Sequence, residues 1–237
     1  IGFHCHFAVQ YILMTPFLSA TLAIFQKDIQ TELRSRELVA TMGLFALISI
    51  LIFSFALELD RQARIESVSG VLYVTIVFAS ILGLNRSIAS EREAGGMDAL
   101  LLAPIPRTAV LCGKLLGGAL FVLIVGAALL PVMSALYKVN LLQPWVVLTL
   151  ILGALGFTII GTILATITAQ TRAREALLPL VMLPVALPVL LCAVRATTGI
   201  LRALPQADWL FWVALLGVVN IIYAVLAWFL YDAVVEE

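Results

Sequence analysis

Six stretches of this chain run for roughly twenty positions or more without a charged residue: 38–57, 67–85, 115–137, 139–171, 176–194 and 209–231. Crossing ~30 Å of hydrocarbon takes ~20 apolar residues in a helix. Lipid offers no partner to an unpaired backbone group, so each such stretch has to satisfy its own hydrogen bonds as an α-helix. The pattern predicts an all-α polytopic membrane protein with six transmembrane helices. The fourth stretch exceeds one span, and Asn140, Gln143 and Pro144 mark a loop at its entrance, which places that helix from near Trp145 to near Ala169. A mean hydropathy of +1.13 with only 12% charged residues is far outside the soluble range. Fourteen basic and fourteen acidic residues cancel, so net charge gives no reason to expect a nucleic-acid partner.

The charges that exist are concentrated between the spans. Leu22, Phe25, Ile29 and Leu33 fall at helical spacing while Lys27, Asp28, Glu32, Arg34 and Arg36 occupy the other faces, the division expected of an N-terminal amphipathic helix lying in the membrane interface. Residues 1–21 precede it as an N-terminal extension, in which Met14 is a candidate native start. The 22–237 region then forms one six-span domain. Its longest charged interval is 85–114, NRSIASEREAGGMDALLLAPIPRTAVLCGK. There Ser90–Glu93 can cap and start a helix, Gly95-Gly96 interrupts it, Asp98 to Leu102 restarts a turn, and Pro104 and Pro106 end it. Counting basic residues in the short connections puts nine on the side of this loop and five on the other, Arg195 among the five. The bias makes the loop and both termini cytoplasmic.

Within the spans, LLPLVMLPVALPVLL puts Pro179, Pro184 and Pro188 in one helix. Each interior proline removes a backbone hydrogen bond and crowds the preceding turn, so the span is expected to kink or partly unwind, as functional helices in membranes do. Thr158, Thr162 and Thr166 line up at i, i+4 and i+8 beside Gly153, Gly156 and Gly161, read as a helix-packing stripe. Gly113 and Gly117 form a G-x-x-x-G pair, a spacing used by dimer faces but common in membrane helices. From Leu115 to Val194 no Asp, Glu or His lies within a span. An ion-coupled carrier needs intramembrane ionisable groups, so the energy source is expected outside this chain. Lys114 is not preceded by the glycine pattern of a phosphate-binding loop. The chain is therefore expected to be no enzyme, with any ATPase activity in a partner. The two histidines, His4 and His6, stand in the N-terminal tail, so no metal site and no bound cofactor is expected. Cys5, Cys112 and Cys192 form no C-x-x-C pair and read as small apolar residues.

The 85–114 interval resembles the first cytoplasmic loop of ABC-2 type exporter permeases, whose E-R-E-x-G-x-x-x-x-L-L-x-x-P pattern is matched here by Glu91, Arg92, Glu93, Gly95, Leu100, Leu101 and Pro104, with Asp98 inside it. Together with AIFQKDIQTELRSRE before the first span and the proline-spaced LPLVMLPVALPVLL, the likeness narrows to the haem exporter protein B (CcmB) family. It covers roughly Leu22 to the C-terminus. Gly96-Met97 stands where many ABC-2 loops carry Gly-Thr or Gly-Ser. The resemblance implies a permease subunit in the bacterial inner membrane that serves haem export and cytochrome c maturation. It implies a homodimer of permeases, an ABC ATPase subunit that binds the ATP, a haem-handling membrane subunit and a small accessory membrane protein, with haem as cargo. It makes Glu91 to Pro104 the ATPase-coupling loop, and the helix bearing Phe25, Lys27, Ile29, Leu33, Arg34 and Arg36 its interface neighbour. The alternatives are a generic ABC-2 permease for a lipid, polysaccharide or drug, and a membrane scaffold or secondary carrier uncoupled from ATP.

Overall fold

The computed structural model describes residues 16–56, 61–93, 107–168 and 174–235. They form helices throughout, with no strand among the described residues. Helix α1 (Pro16–Ser35) is followed by α2 (Glu37–Ala56), α3 (Arg61–Glu93), α4 (Arg107–Tyr137), α5 (Pro144–Thr168), α6 (Arg174–Leu201) and α7 (Gln206–Val235). Each of α2 to α7 contains a segment long and apolar enough to cross a membrane. The six spans read from the uncharged stretches are present, and α5 begins and ends within a residue of its expected limits.

Burial ranks the helices. In α3, 67% of the membrane segment is enclosed by the rest of the chain, against 22% for α2 and for α7, so α3 is the axis of the bundle and α2 and α7 are its outer walls. Leu72, Tyr73 and Ile76 of α3 are fully buried, packed among Met42 and Ile50 of α2 and Phe157 of α5. Arg86 near the end of α3 pairs with Glu37 at the start of α2, while Arg202, just past α6, pairs with Glu66 near the start of α3. Successive spans therefore alternate in direction.

Two boundaries differ from expectation. Ser90–Glu93 closes α3 instead of opening a new helix, because nothing between Asn85 and Glu93 breaks a helix and the first glycine comes only at Gly95. The expected loop 85–114 is thus helical from 85 to 93 and again from 107 to 114. At 33 residues, α3 is about 50 Å long at ~1.5 Å per residue, well beyond the ~30 Å of hydrocarbon. The second difference is Arg36, which stands between α1 and α2 with φ of 55° and belongs to neither helix. Its N–H donates to the Glu32 carbonyl at 2.7 Å.

The Glu32 carboxylate then accepts the N–H groups of Leu38 and Val39 at 3.2 and 2.9 Å. It supplies the start of α2 with the acceptor that a capping residue would provide, and its charge complements the helix dipole. Glu32→Ala is expected to cost about 1 kcal/mol, seen as a lower Tm of the detergent-purified protein, with Glu32→Gln nearer the parent. An unchanged Tm in the alanine variant would show that the corner is held by packing alone.

Candidate functional site

Helix α1 lies across the end of the bundle that carries Glu37 and Arg86. Phe17 meets Trp228 of α7 at a ring separation of 6.4 Å, and Thr21 and Ile24 are buried against α4. The contact depends on Gly113, where a Cβ would stand 2.8 Å from Ile24 side-chain carbons and 3.0 Å from the Thr21 carbonyl oxygen. One turn on, a Cβ at Gly117 would meet Asp28 Oδ2 at 3.4 Å. The G-x-x-x-G pair is therefore spent inside the chain, as the groove for α1, and not on a dimer face.

This seating rotates α1 by about one residue, ~100°, from the stripe read in the sequence. Thr21, Ile24 and Asp28 face the bundle. Leu22 and Leu33 are exposed, the latter at 69%, and Phe25 and Ile29 are half-buried at the edge. Lys27 and Arg34 point away from the bundle as expected. The rotation follows from shape: only the two α4 glycines allow a helix close enough to bury anything, and Ile24 fits there.

Asp28, with 17% of its side chain exposed and its carboxylate 3.2 Å from Lys27 Nζ, reaches a small internal cavity of about 70 Å³ that Lys114 of α4 also lines. Ser80 and Ser87 of α3 and Thr158, Thr162 and Thr166 of α5 complete its polar wall. Several of these hydroxyls donate to their own helix, Ser80 to the Ile76 carbonyl at 2.7 Å, Thr158 to Ala154 at 2.8 Å and Thr166 to Thr162 at 2.9 Å. With the proton used, each such oxygen turns only acceptor lone pairs toward the cavity, a lining that suits an ammonium group or water. The threonine row is thus more than packing. At ~30 Å³ per water the space has room for about two, a small polar-lined joint where α1 to α5 meet.

A second polar cluster lies nearer the other end. Tyr73 donates to Thr149 Oγ1 at 3.0 Å and lies 3.0 Å from Thr197 Oγ1, and the two threonine hydroxyls are 3.1 Å apart. Thr149 donates to the Val146 carbonyl at 2.8 Å. Each hydroxyl proton has an acceptor, so α3, α5 and α6 are joined by a satisfied network in the core. Asn220 of α7 adds a donor to the Leu152 carbonyl of α5 at 2.7 Å. None of these four residues stood out in the sequence, where isolated hydroxyls and one Asn in apolar runs carry no mutual spacing.

Pro179, Pro184 and Pro188 all lie inside α6, which stays helical from Arg174 to Leu201. Of the expected kink or partial unwinding, the unwinding does not occur. Met182, Ala186, Val189, Ala193 and Ala196 seat α6 on its neighbours, whereas Pro184 and Pro188 share the outward face with Leu180, Leu187 and Leu191. There the rings crowd no other helix, and the inner-face ladder continues past them. Tyr223 of α7 donates to the Val185 carbonyl at 2.8 Å, between two of the prolines. Arg195, counted in the sequence among loop charges, is part of α6 and lies within the membrane segment Leu177–Leu201; the stretch searched for ionisable groups stopped one residue short of it. Glu91, Arg92 and Glu93 occupy the last turn of α3. Gly95, Asp98, Leu100, Leu101 and Pro104 lie outside the described residues.

The arrangement is that of a multi-pass helical membrane protein with an end-cap helix set on a polar joint. Comparison with known proteins gives the family: the chain belongs to the CcmB protein family, whose model matches residues 19–237. A heme exporter protein B of Pseudomonas aeruginosa is 30% identical over 186 residues, 76% of this chain and 81% of that protein. Proteins of the same name from Rhodobacter capsulatus and Bradyrhizobium diazoefficiens are 28% identical over 71% of this chain and 78% of theirs, and 24% identical over 78% and 83%.

Proposed function

We propose that this chain is the permease subunit of a haem exporter in a bacterial inner membrane, driven by ATP hydrolysis on a partner ATPase and serving cytochrome c maturation. The observation that carries the reading is the family match over residues 19–237, shared with relatives named heme exporter protein B. The length of α3 adds a mechanical route. One continuous helix carries Glu91–Glu93 at its tip, lines the hydroxyl-rich joint through Ser80 and Ser87, and reaches the Tyr73 network. A push on the tip is delivered to both, and a joint lined with hydroxyls, where water can bridge, re-forms its hydrogen bonds at little cost as α1 slides.

In this reading the 85–114 segment and both termini face the cytoplasm, where the ATPase docks on Glu91 to Pro104 and on the Lys27 and Arg34 face of α1. Two copies of the chain assemble with two ATPase subunits, a haem-handling membrane subunit and a small accessory protein. The motion exports haem or releases a haem-loaded periplasmic chaperone, and the outward proline face of α6 is where the span bends.

The test has two arms. With Cys5, Cys112 and Cys192 replaced by serine, Glu93→Cys is expected to react with a membrane-impermeant maleimide only after cells are permeabilised. Deletion of the chain is expected to remove c-type cytochromes, and the wild-type copy to restore them. Labelling of intact cells would overturn the orientation and with it the docking; full cytochrome c in the deletion strain would assign the permease to another cargo.

A further inference from the structure

Arg195 is a cation six residues before the end of α6, ~9 Å along the axis, within a membrane segment. Such a group is costly and calls for a partner. Neighbouring Arg202 has one, Glu66. Arg195 has no side-chain hydrogen bond or ion pair among the described residues, and the same is true of the Asp208 carboxylate. Yet both line one cleft of about 120 Å³, walled by Trp209 and Trp212, at the α6–α7 turn. Arg195 and Asp208 border the same hollow without meeting, and Arg202, held by Glu66, lines it beside them.

The hollow is built, not incidental. Gly199 lets α7 approach so closely that a Cβ there would stand 2.7 Å from Trp209 Cβ. The turn is locked by Leu204 N–H to the Gly199 carbonyl and Ala203 N–H to the Ile200 carbonyl, both 3.1 Å, with Ala203 at φ of 52°, the pattern that closes a helix at a left-handed residue. Trp145 stacks edge-on against Trp209 at 4.9 Å, fixing the wall. Tryptophans mark the level of lipid headgroups, so the cleft opens where headgroups lie, with Arg195 deeper and Asp208 at the rim.

We propose that this cleft binds the headgroup of a zwitterionic phospholipid bearing a primary ammonium, its phosphate on Arg195 and its ammonium on Asp208. The charges fit in order of depth: the phosphate is attached nearer the acyl chains, and the ammonium is two carbons further out. A guanidinium matches phosphate oxygens with a planar fork, and a primary ammonium offers the N–H donors that a quaternary one lacks. Size agrees as well. At ~30 Å³ per water the cleft holds about four water volumes, below the ~300 Å³ at which pockets begin to take a drug-sized ligand. It takes a headgroup and excludes a macrocycle. The site stands on these residues alone and does not depend on the identity of the exporter's cargo.

Native mass spectrometry of the detergent-purified chain tests it, with phosphatidylethanolamine, phosphatidylglycerol and phosphatidylcholine added at equal concentration. Wild type is expected to retain phosphatidylethanolamine about tenfold over the other two, the effect of one charge-assisted hydrogen-bonded contact. Arg195→Gln and Asp208→Asn should each remove that preference. Lys138→Asn, which deletes a charge from the same end outside the cleft, should keep it. Equal retention of the three lipids by wild type would overturn the proposal without recourse to any variant. Preference for phosphatidylglycerol would reduce the cleft to an anion site and refute the role of Asp208, and an unchanged preference in both variants would place the lipid elsewhere.

Discussion

Gly156→Leu is expected to lower the Tm of the purified protein by about 10 °C or to prevent its recovery from membranes, whereas Gly217→Leu should leave it near the parent value. A Cβ at position 156 would lie 2.4 Å from Asn220 Oδ1 and 2.8 and 2.9 Å from the two Val189 methyl carbons. Three helices meet there, α5 with α6 and α7, and the first of these pairs has the most extensive contact in the bundle. The glycine cannot gain a side chain unless Asn220 and Val189 give way or α6 or α7 retreats. Retreat of α7 also breaks the 2.7 Å bond from Asn220 to the Leu152 carbonyl, leaving a buried amide and carbonyl unpaired at a cost of about 1–3 kcal/mol on top of about 1–3 kcal/mol for overpacking. At position 217 a Cβ would meet nothing within 4 Å, and removing a helical glycine there gains up to about 1 kcal/mol of helix propensity. The two variants share chemistry and helix type, so equal stability would show that the three-helix junction is loose.

The same comparison shows where the sequence is informative. Span number, span position and the loop at Asn140 to Pro144 are legible because charge inside hydrocarbon is so costly that its absence over twenty positions has one structural solution. Which face of a helix points inward is not legible in this way. The stripe Leu22, Phe25, Ile29, Leu33 marks the apolar face of α1 that the sequence assigns to the membrane interface, while the shape of Gly113 and Gly117 seats Thr21 and Ile24 on the bundle. That the polar groups of the α1 joint belong together is hidden for a related reason. Asp28, Lys114 and the threonine row come from separate helices and acquire meaning only where the fold gathers them around one cavity. Arg195 was hidden by the convention that charges end spans; the helix continues six residues past it, to Leu201.

Glu91→Lys combined with Glu93→Lys is expected to abolish recovery of the partner ATPase while leaving the amount of this chain in the membrane unchanged. The reason lies in where the two glutamates stand. They occupy the last turn of a helix, whose C-terminal end carries partial negative charge, so each carboxylate there opposes the dipole by roughly 0.3–1 kcal/mol. Lysine at the same positions favours the helix end, and in the proposed orientation, with the tip in the cytoplasm, it also reinforces the topology. Local structure should therefore gain from the double reversal, and a loss of partner binding cannot be assigned to melting of α3. In the proposed reading, acidic residues are kept at this unfavourable helix end for a cationic surface that docks on them. Positions 91 and 93 are roughly 200° apart around the axis, so a partner touching one flank of α3 would be sensitive to one single reversal and not the other, whereas one that receives the tip end-on would lose affinity with both. Copurification of the ATPase with each single variant and the double variant measures this directly. Wild-type recovery with the double variant would end the assignment of the α3 tip as the coupling point and move the search to the Lys27 and Arg34 face of α1.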